Sequence, residues 1–259
     1  MNQLLEQFTE QHLVAFILTL GRIGPLFVIA PLFSSRMIPA RARGVAAVAL
    51  AIGFSPVAGK DAHFGTDALT IGGLLFKEIL IGMAFALVIQ CVFAAVSAAG
   101  SLLDTSIGFS FGSLLDPINN QQSGVLTQVY SLVGVMIFVV IGGDAWVIRG
   151  LNETYNEVPL GAMPKLGSLV GGVQAAFSHI LVAAIEVAAP VLLAVIITDA
   201  AFGVVSRVMP QLNVFAVGFP AKILVGFLLI GTSLPFVSTW IGDQLTQSVG
   251  AALKTLQVA

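Results

Sequence analysis

The chain has 259 residues, 57% of them apolar and only 9% charged, with a mean hydropathy of +1.00 and a net charge of −2. Soluble domains carry about a quarter charged residues, so this chain lacks the polar surface to cover a water-facing globule, and an integral membrane protein is expected. The net charge says nothing useful about partners, and no basic cluster points to nucleic acid, so no nucleic-acid partner is expected.

A spanning helix needs about 20 mostly apolar residues, and six runs approach that length: 13–33, 44–57, 71–99, 125–141, 175–205 and 215–241. The first eleven residues carry Glu6 and Glu10 but no Lys or Arg. They lack the positive n-region of a secretory signal, so the first run is expected to remain as a membrane helix. Gly21, Gly24, Pro25 and Pro31 interrupt it and predict a kink. The second run is short, whereas the third and fifth are long for a simple crossing. The stretch 142–172, with Pro159, Pro164 and several glycines, reads as a polar loop with one short helix. No repeat is evident. The expected fold class is therefore all-α, with about six long, kinked, apolar helices in one membrane-protein domain over 1–259.

Loop charge suggests an orientation. Arg36, Arg41 and Arg43 follow the first run and Arg207 follows the fifth. Acidic residues gather at the other connections: Glu6, Glu10, Asp61, Asp67, Asp144, Glu153, Glu157 and Asp243. Short loops rich in Lys and Arg favour the cytoplasm, which puts both termini outside after an even number of crossings. Lys60, Arg149 and Lys165 run against this pattern.

Ionisable residues within apolar runs are costly, which makes them candidates for function. Here they are Arg22, Lys77, Glu78, Asp104, Glu186 and Asp199. They would either line a proton or substrate path or pair at helix interfaces. Glu186 and Asp199 stand roughly 220° apart around one helix, which argues against a two-carboxylate relay. The lone Cys91 has no disulfide partner, and His12, His63 and His179 lack ligand spacing. Gly108-Phe-Ser-Phe-Gly112 matches G-x-S-x-G, but that elbow requires a strand–turn–helix, and helices surround it here. No enzyme activity and no cofactor is expected.

Two irregular segments stand out. Residues 100–124 alternate glycine and small polar residues with Phe109, Phe111, Leu114 and Leu115, and then reach Asp116-Pro117. Irregular backbone at membrane depth is tolerated where protein buries it or where it lines a cavity. Spacing alone leaves a cavity-facing closure and an ordinary extramembrane loop both open. The second segment, Arg207 to Phe215, places Arg207, Pro210, Gln211 and Asn213 between two apolar runs. It reads as a hairpin bend or a contact surface.

Several motifs, taken together, resemble the FliR family of flagellar export-gate proteins. They are Arg22-Ile-Gly-Pro25, Ala30-Pro-Leu-Phe33, Ile38-Pro39, Lys77-Glu78-Ile-Leu-Ile-Gly82, Asp116-Pro117, Ala189-Pro190, Asp199-Ala-Ala-Phe-Gly203, Ser206-Arg207, Pro210-Gln-Leu-Asn-Val-Phe215 and Gly218-Phe-Pro-Ala-Lys222. The likeness spans nearly the whole chain in order, and counterpart subunits of type III injectisomes share it. It implies a FliP-like N-terminal part and a FliQ-like C-terminal helical hairpin. It further implies a closed pore formed with FliP-like and FliQ-like subunits, an FlhB-like subunit at the cytoplasmic entrance, and passage of unfolded flagellar substrates across the bacterial inner membrane at the basal body. By the same resemblance, Phe109, Phe111, Leu114, Leu115, Asp116 and Pro117 belong to a plug loop. Arg207, Pro210, Gln211, Asn213 and Phe215 form a cytoplasmic-side assembly bend, and Arg22, Lys77, Glu78, Glu186 and Asp199 are interfacial charges. The alternative from another class is a secondary transporter with Glu186, Asp199 and Lys77 in one midplane site, for which paired broken helices in an internal repeat would be the sign.

Overall fold

The structure, a computed structural model, describes residues 10–34, 38–59, 64, 67–110, 124–211 and 213–256. Among these, seven helices and no strand are found: α1 (Glu10–Ile29), α2 (Ala40–Ala58), α3 (Ala68–Ile107), α4 (Val125–Val140), α5 (Gly143–Glu157), α6 (Leu166–Val208) and α7 (Val214–Leu256). The all-α expectation holds. Five helices (α1, α2, α3, α6 and α7) are long and apolar enough to cross a membrane, and a sixth crossing arises only if α4 and α5 count as one broken span.

Four apolar runs belong to helices longer than the runs themselves, and three of those helices are very long. α3 has 40 residues, and α6 and α7 have 43 each. At 1.5 Å per residue they reach about 60–65 Å, twice the ~30 Å hydrocarbon thickness. Hydropathy marks only the apolar part of such a helix, which continues until something stops it. Pro25 in α1, Pro190 in α6, and Pro220 and Pro235 in α7 all lie inside continuous helix. α1 ends before Pro31, which sits in the turn at residues 31–34.

The polar connection 142–172 is more helical than expected. Gly142, with φ 69°, starts α5, which runs to Glu157, so that only residues 158–165 are non-helical before α6. No proline lies between Gly143 and Glu157, and the one glycine inside the stretch, Gly150, is buried within the helix. Val158 precedes Pro159 and adopts extended backbone (φ −131°, ψ 91°), as the ring of a following proline demands.

The chain packs into two compact units. The first holds residues 1–91, 142–178 and 245–259, and the second holds 92–141 and 179–244. In the first, Val14, Ala15 and Leu18 of α1 pack with Phe64, Tyr155 and Leu160, flanked by Phe54 of α2 and by Leu74 and Leu75 of α3. Gln11 fastens Phe64 of the connection between α2 and α3: its amide donates to the Phe64 carbonyl (3.0 Å) and accepts from the Phe64 N–H (2.9 Å). In the second unit α3 and α4 pack closely. Phe93 meets Phe138 edge to face at 5.2 Å, and a Cβ on Gly100 would come within 2.7 Å of the Thr127 Cα. The apolar window of α3 is 67% buried, against 11% for α2 and 28% for α7. α3 is thus the most buried of the five apolar helices, and α2 and α7 leave most of their apolar surface for lipid or for other chains.

Candidate functional site

Three groups of residues carry the polar chemistry of this chain. The first is a charge cluster in the first unit. Arg22 of α1 and Glu78 of α3 are both fully buried and form an ion pair, Nε to Oε2, of 2.6 Å. Arg22 Nη1 also donates to the carbonyls of Thr154 (3.0 Å) and Val158 (2.9 Å) at the C-terminal end of α5. A guanidinium there is favoured by the negative dipole end of the helix, although the Thr154 carbonyl also accepts the Val158 N–H (2.9 Å). The Tyr155 ring lies against the same guanidinium, 4.4 Å from Cζ to centroid, a cation–π distance. Glu78 Oε1 accepts from the Gly161 N–H (3.3 Å), and Lys77 Nζ donates to the Gly161 carbonyl (3.0 Å).

Local sequence makes this cluster possible. Gly161 has φ 84°, which glycine tolerates without the Cβ penalty, and the turn presents both its N–H and its C=O to α3. Gly82 lets α1 and α3 touch backbone to backbone, since a Cβ there would overlap the Arg22 carbonyl. Desolvating two charges is costly and is offset only where further hydrogen bonds complete the pair. Most of those bonds are present, at Arg22 Nε and Nη1 and at both Glu78 oxygens, while Arg22 Nη2 is buried without a hydrogen-bond partner. Arg22, Lys77 and Glu78 therefore join α1, α3, the end of α5 and the 158–165 turn.

The second group lies in the second unit, at the ends of the 108–124 segment. Asp104, buried near the end of α3, accepts from the backbone N–H of Leu126 (2.9 Å) and Thr127 (2.8 Å), and from the Thr127 hydroxyl (2.7 Å). Gly124 is the N-cap of α4 and has no side chain to bond those amides. The carboxylate from twenty residues earlier does so instead, and a Cβ on Gly124 would overlap it. At the other end, Gly108 turns with φ 103°. Phe109 then packs edge-on against Phe219 (6.4 Å) and Phe227 (6.2 Å) of α7. Ile107 seats on Gly226, where a Cβ would lie 2.6 Å from its Cδ1. Phe111, Leu114, Leu115, Asp116 and Pro117 lie outside the described residues.

The third group is the α6–α7 hairpin of the same unit. α6 ends at Val208, and Pro210 stands in the turn. Asn213 caps α7 by accepting the Ala216 N–H at Oδ1 (3.2 Å), the usual role of asparagine at this position. Arg207 and Gln211 are exposed, while the Phe215 side chain lies outside the description. Asp199 pairs with Lys222 across the hairpin. Further from the bend, Glu186 accepts from the Trp240 indole (3.0 Å). Glu186 and Asp199 thus have different partners, in keeping with their angular separation.

Sequence reasoning named the charges but missed their counterparts, namely Thr154, Tyr155, Gly161, Trp240 and Lys222. Asp104 was noticed without a role. Lys222 had one available signal, its place in the Gly218–Lys222 motif at helical distance from the bend. No local signal links Asp104 to Thr127. Among the described residues no group of three His, Cys, Asp or Glu converges as a metal site.

The sequence pattern of the bacterial export proteins, family 1, matches residues 13–248. The flagellar biosynthetic protein FliR of Bacillus subtilis is 31% identical over 239 residues, covering 89% of this chain and 88% of that protein. FliR of Escherichia coli is 30% identical over 219 residues, 84% of this chain and 83% of its own. The surface presentation of antigens protein SpaR of Shigella sonnei is 25% identical over 210 residues, 81% of this chain and 80% of its own.

Proposed function

The chain belongs to the bacterial export proteins, family 1, the family of the FliR proteins, and from that membership we propose that it is a subunit of a flagellar type III export gate. It is a membrane component of an export apparatus and not an enzyme. In this reading the whole chain acts as one gate module in the bacterial inner membrane at the flagellar basal body. It forms a closed pore with FliP-like and FliQ-like subunits and meets an FlhB-like subunit at the cytoplasmic entrance. Unfolded flagellar substrates pass through. The observation that carries the reading is the match over residues 13–248. The identity of 31% and 30% to the FliR proteins of Bacillus subtilis and Escherichia coli, against 25% to SpaR, favours the flagellar system over an injectisome.

Residues 109–117 close the pore. Support comes from the seat of Phe109 on Phe219 and Phe227, which starts this apolar segment against the hairpin. Arg207, Pro210, Gln211, Asn213 and Phe215 form the assembly bend. Arg22, Lys77, Glu78, Glu186 and Asp199 hold helices together. Lys77, Glu186 and Asp199, the residues of the transporter alternative, contact Gly161, Trp240 and Lys222 respectively, which supports their reading as interfacial charges.

Two measurements test this. Tagged chain should co-purify with FliP-like and FliQ-like proteins, because small and polar groups on lipid-facing helices seek partner helices; a stable, monodisperse monomer without them would sink the proposal. Removing residues 109–115 should raise ion leakage through the assembled gate, since an apolar constriction seals by excluding water. Unchanged leakage in that variant would make the chain a scaffold without a gate.

A further inference from the structure

We propose that a groove between α3 and the start of α6 binds one anionic phospholipid, with the phosphate held by Lys77 and Lys165 and an acyl chain lying along the groove. The site lies wholly within the first unit and stands whether or not residues 109–117 close a pore. The groove has a volume of about 310 Å³. Seven of its eight lining side chains are apolar, among them Leu80, Met83 and Leu87 of α3 and Val170 and Val173 of α6, and Gln174 alone is polar. Ala84 and Leu169 form its floor, where they pack with Ile81 and Val158 in a buried cluster.

Both lysines stand at one end of this groove. Lys77 precedes Leu80 by three residues on α3, and Lys165 precedes Leu169 by four at the start of α6. Gly161 brings them together: its carbonyl accepts from Lys77 Nζ (3.0 Å), and Lys165 follows four residues later in the same connection. That bond uses one of the three N–H donors of Lys77 and leaves two. The adjacent carboxylate, Glu78, is committed to Arg22 and to the Gly161 N–H. Lys165 is exposed, and neither lysine forms an ion pair among the described residues. Lys165 also runs against the loop-charge pattern of the chain, and an anionic headgroup supplies the counter-charge that the neighbouring sequence does not. Two cations at the head of an apolar groove fit an amphiphile with an anionic head and a hydrocarbon body, and basic sites between membrane helices recognise anionic headgroups in this way. From Leu80 to Leu87, α3 advances about 10 Å, two thirds of one leaflet of a ~30 Å hydrocarbon core. The groove therefore accompanies an acyl chain over most of its depth. A soluble anion would leave these apolar walls uncovered, and a zwitterionic lipid would bring the lysines no net charge.

The test uses the full-length chain, purified with whatever partners it retains and placed in micelles containing phosphatidylglycerol or phosphatidylcholine. Retained lipid is counted by native mass spectrometry. A lysine near an anionic headgroup is worth about fivefold in affinity, so phosphatidylglycerol should be preferred by about twentyfold. Lys165→Gln, at an exposed position, should cut that preference about fivefold. Lys77→Gln should do the same, and Lys165→Gln decides if the Lys77 variant assembles poorly. Val170→Trp fills the groove and should weaken retention of both lipids while keeping their ratio. Phosphatidylglycerol with a photoreactive acyl chain should label α3 between Leu80 and Leu87 and α6 between Leu169 and Gln174. Equal retention of the two lipids, an unchanged preference in Lys165→Gln, or labelling only elsewhere would overturn the site. An equal fall in Arg41→Gln, on another helix, would show general surface attraction and overturn it too. If a cysteine at position 170 cross-links to a co-purified protein instead of lying against lipid, the groove belongs to a protein partner and the proposal fails.

Discussion

Replacing Glu78 with alanine is expected to destabilise the first unit by about 3–5 kcal/mol, the usual cost of leaving a buried charge without its partner. Arg22 would keep its bonds to the Thr154 and Val158 carbonyls and its contact with Tyr155, but nothing would neutralise it. The Gly161 N–H would lose its acceptor as well. Thermal unfolding of the purified complex and the steady-state level in membranes are the readouts. The double variant Arg22→Met, Glu78→Met should recover at least half of the loss, because an apolar pair of similar volume removes the desolvation cost along with the attraction. Full recovery is not expected, since the carbonyls at the end of α5 lose a donor. A single Glu78→Ala variant as stable as the parent would show that the pair does not hold these helices.

Gly82→Ala is the second large effect. Its methyl would overlap a backbone atom, the carbonyl oxygen of Arg22, rather than the tip of a side chain that could rotate away. α1 and α3 would have to separate, stretching the ion pair one turn away. Overpacking costs about 1–3 kcal/mol in general, and a backbone obstacle places this variant at the upper end or beyond. Gly72→Ala in the same helix supplies the contrast, for nothing lies within 4 Å of the added methyl. Glycine costs up to ~1 kcal/mol against alanine inside a helix, so this change should be neutral or stabilising. If both variants unfold at the same temperature, close approach of α1 and α3 is not what Gly82 provides.

These two glycines mark the boundary of what was legible. Both lie in one apolar run, and no local pattern distinguishes them; the neighbour on α1 does. The same holds for the ionisable residues. Arg22, Glu78 and Asp104 were conspicuous because charge in an apolar run is costly, yet their partners lie 56, 132 and 22 residues away. Hydropathy reports what a segment prefers, and pairing depends on which segments meet.

By itself the sequence determined the membrane class, the all-α fold, the position of most helices and the family. Each of these follows from local terms: apolar length, proline and glycine punctuation, and motifs in order. Run 125–141 is α4 almost to the residue, and Pro210 marks the end of α6. Tertiary structure alone decided that α3 is the most buried of the apolar helices, that Arg22, Lys77 and Glu78 form one cluster, and that Glu186 and Asp199 serve separate contacts. It also decided that Asp104 caps a helix that begins twenty-one residues later. The reason is physical: a buried polar group must find a partner, but the identity of that partner is set by packing between distant segments, which no local period encodes.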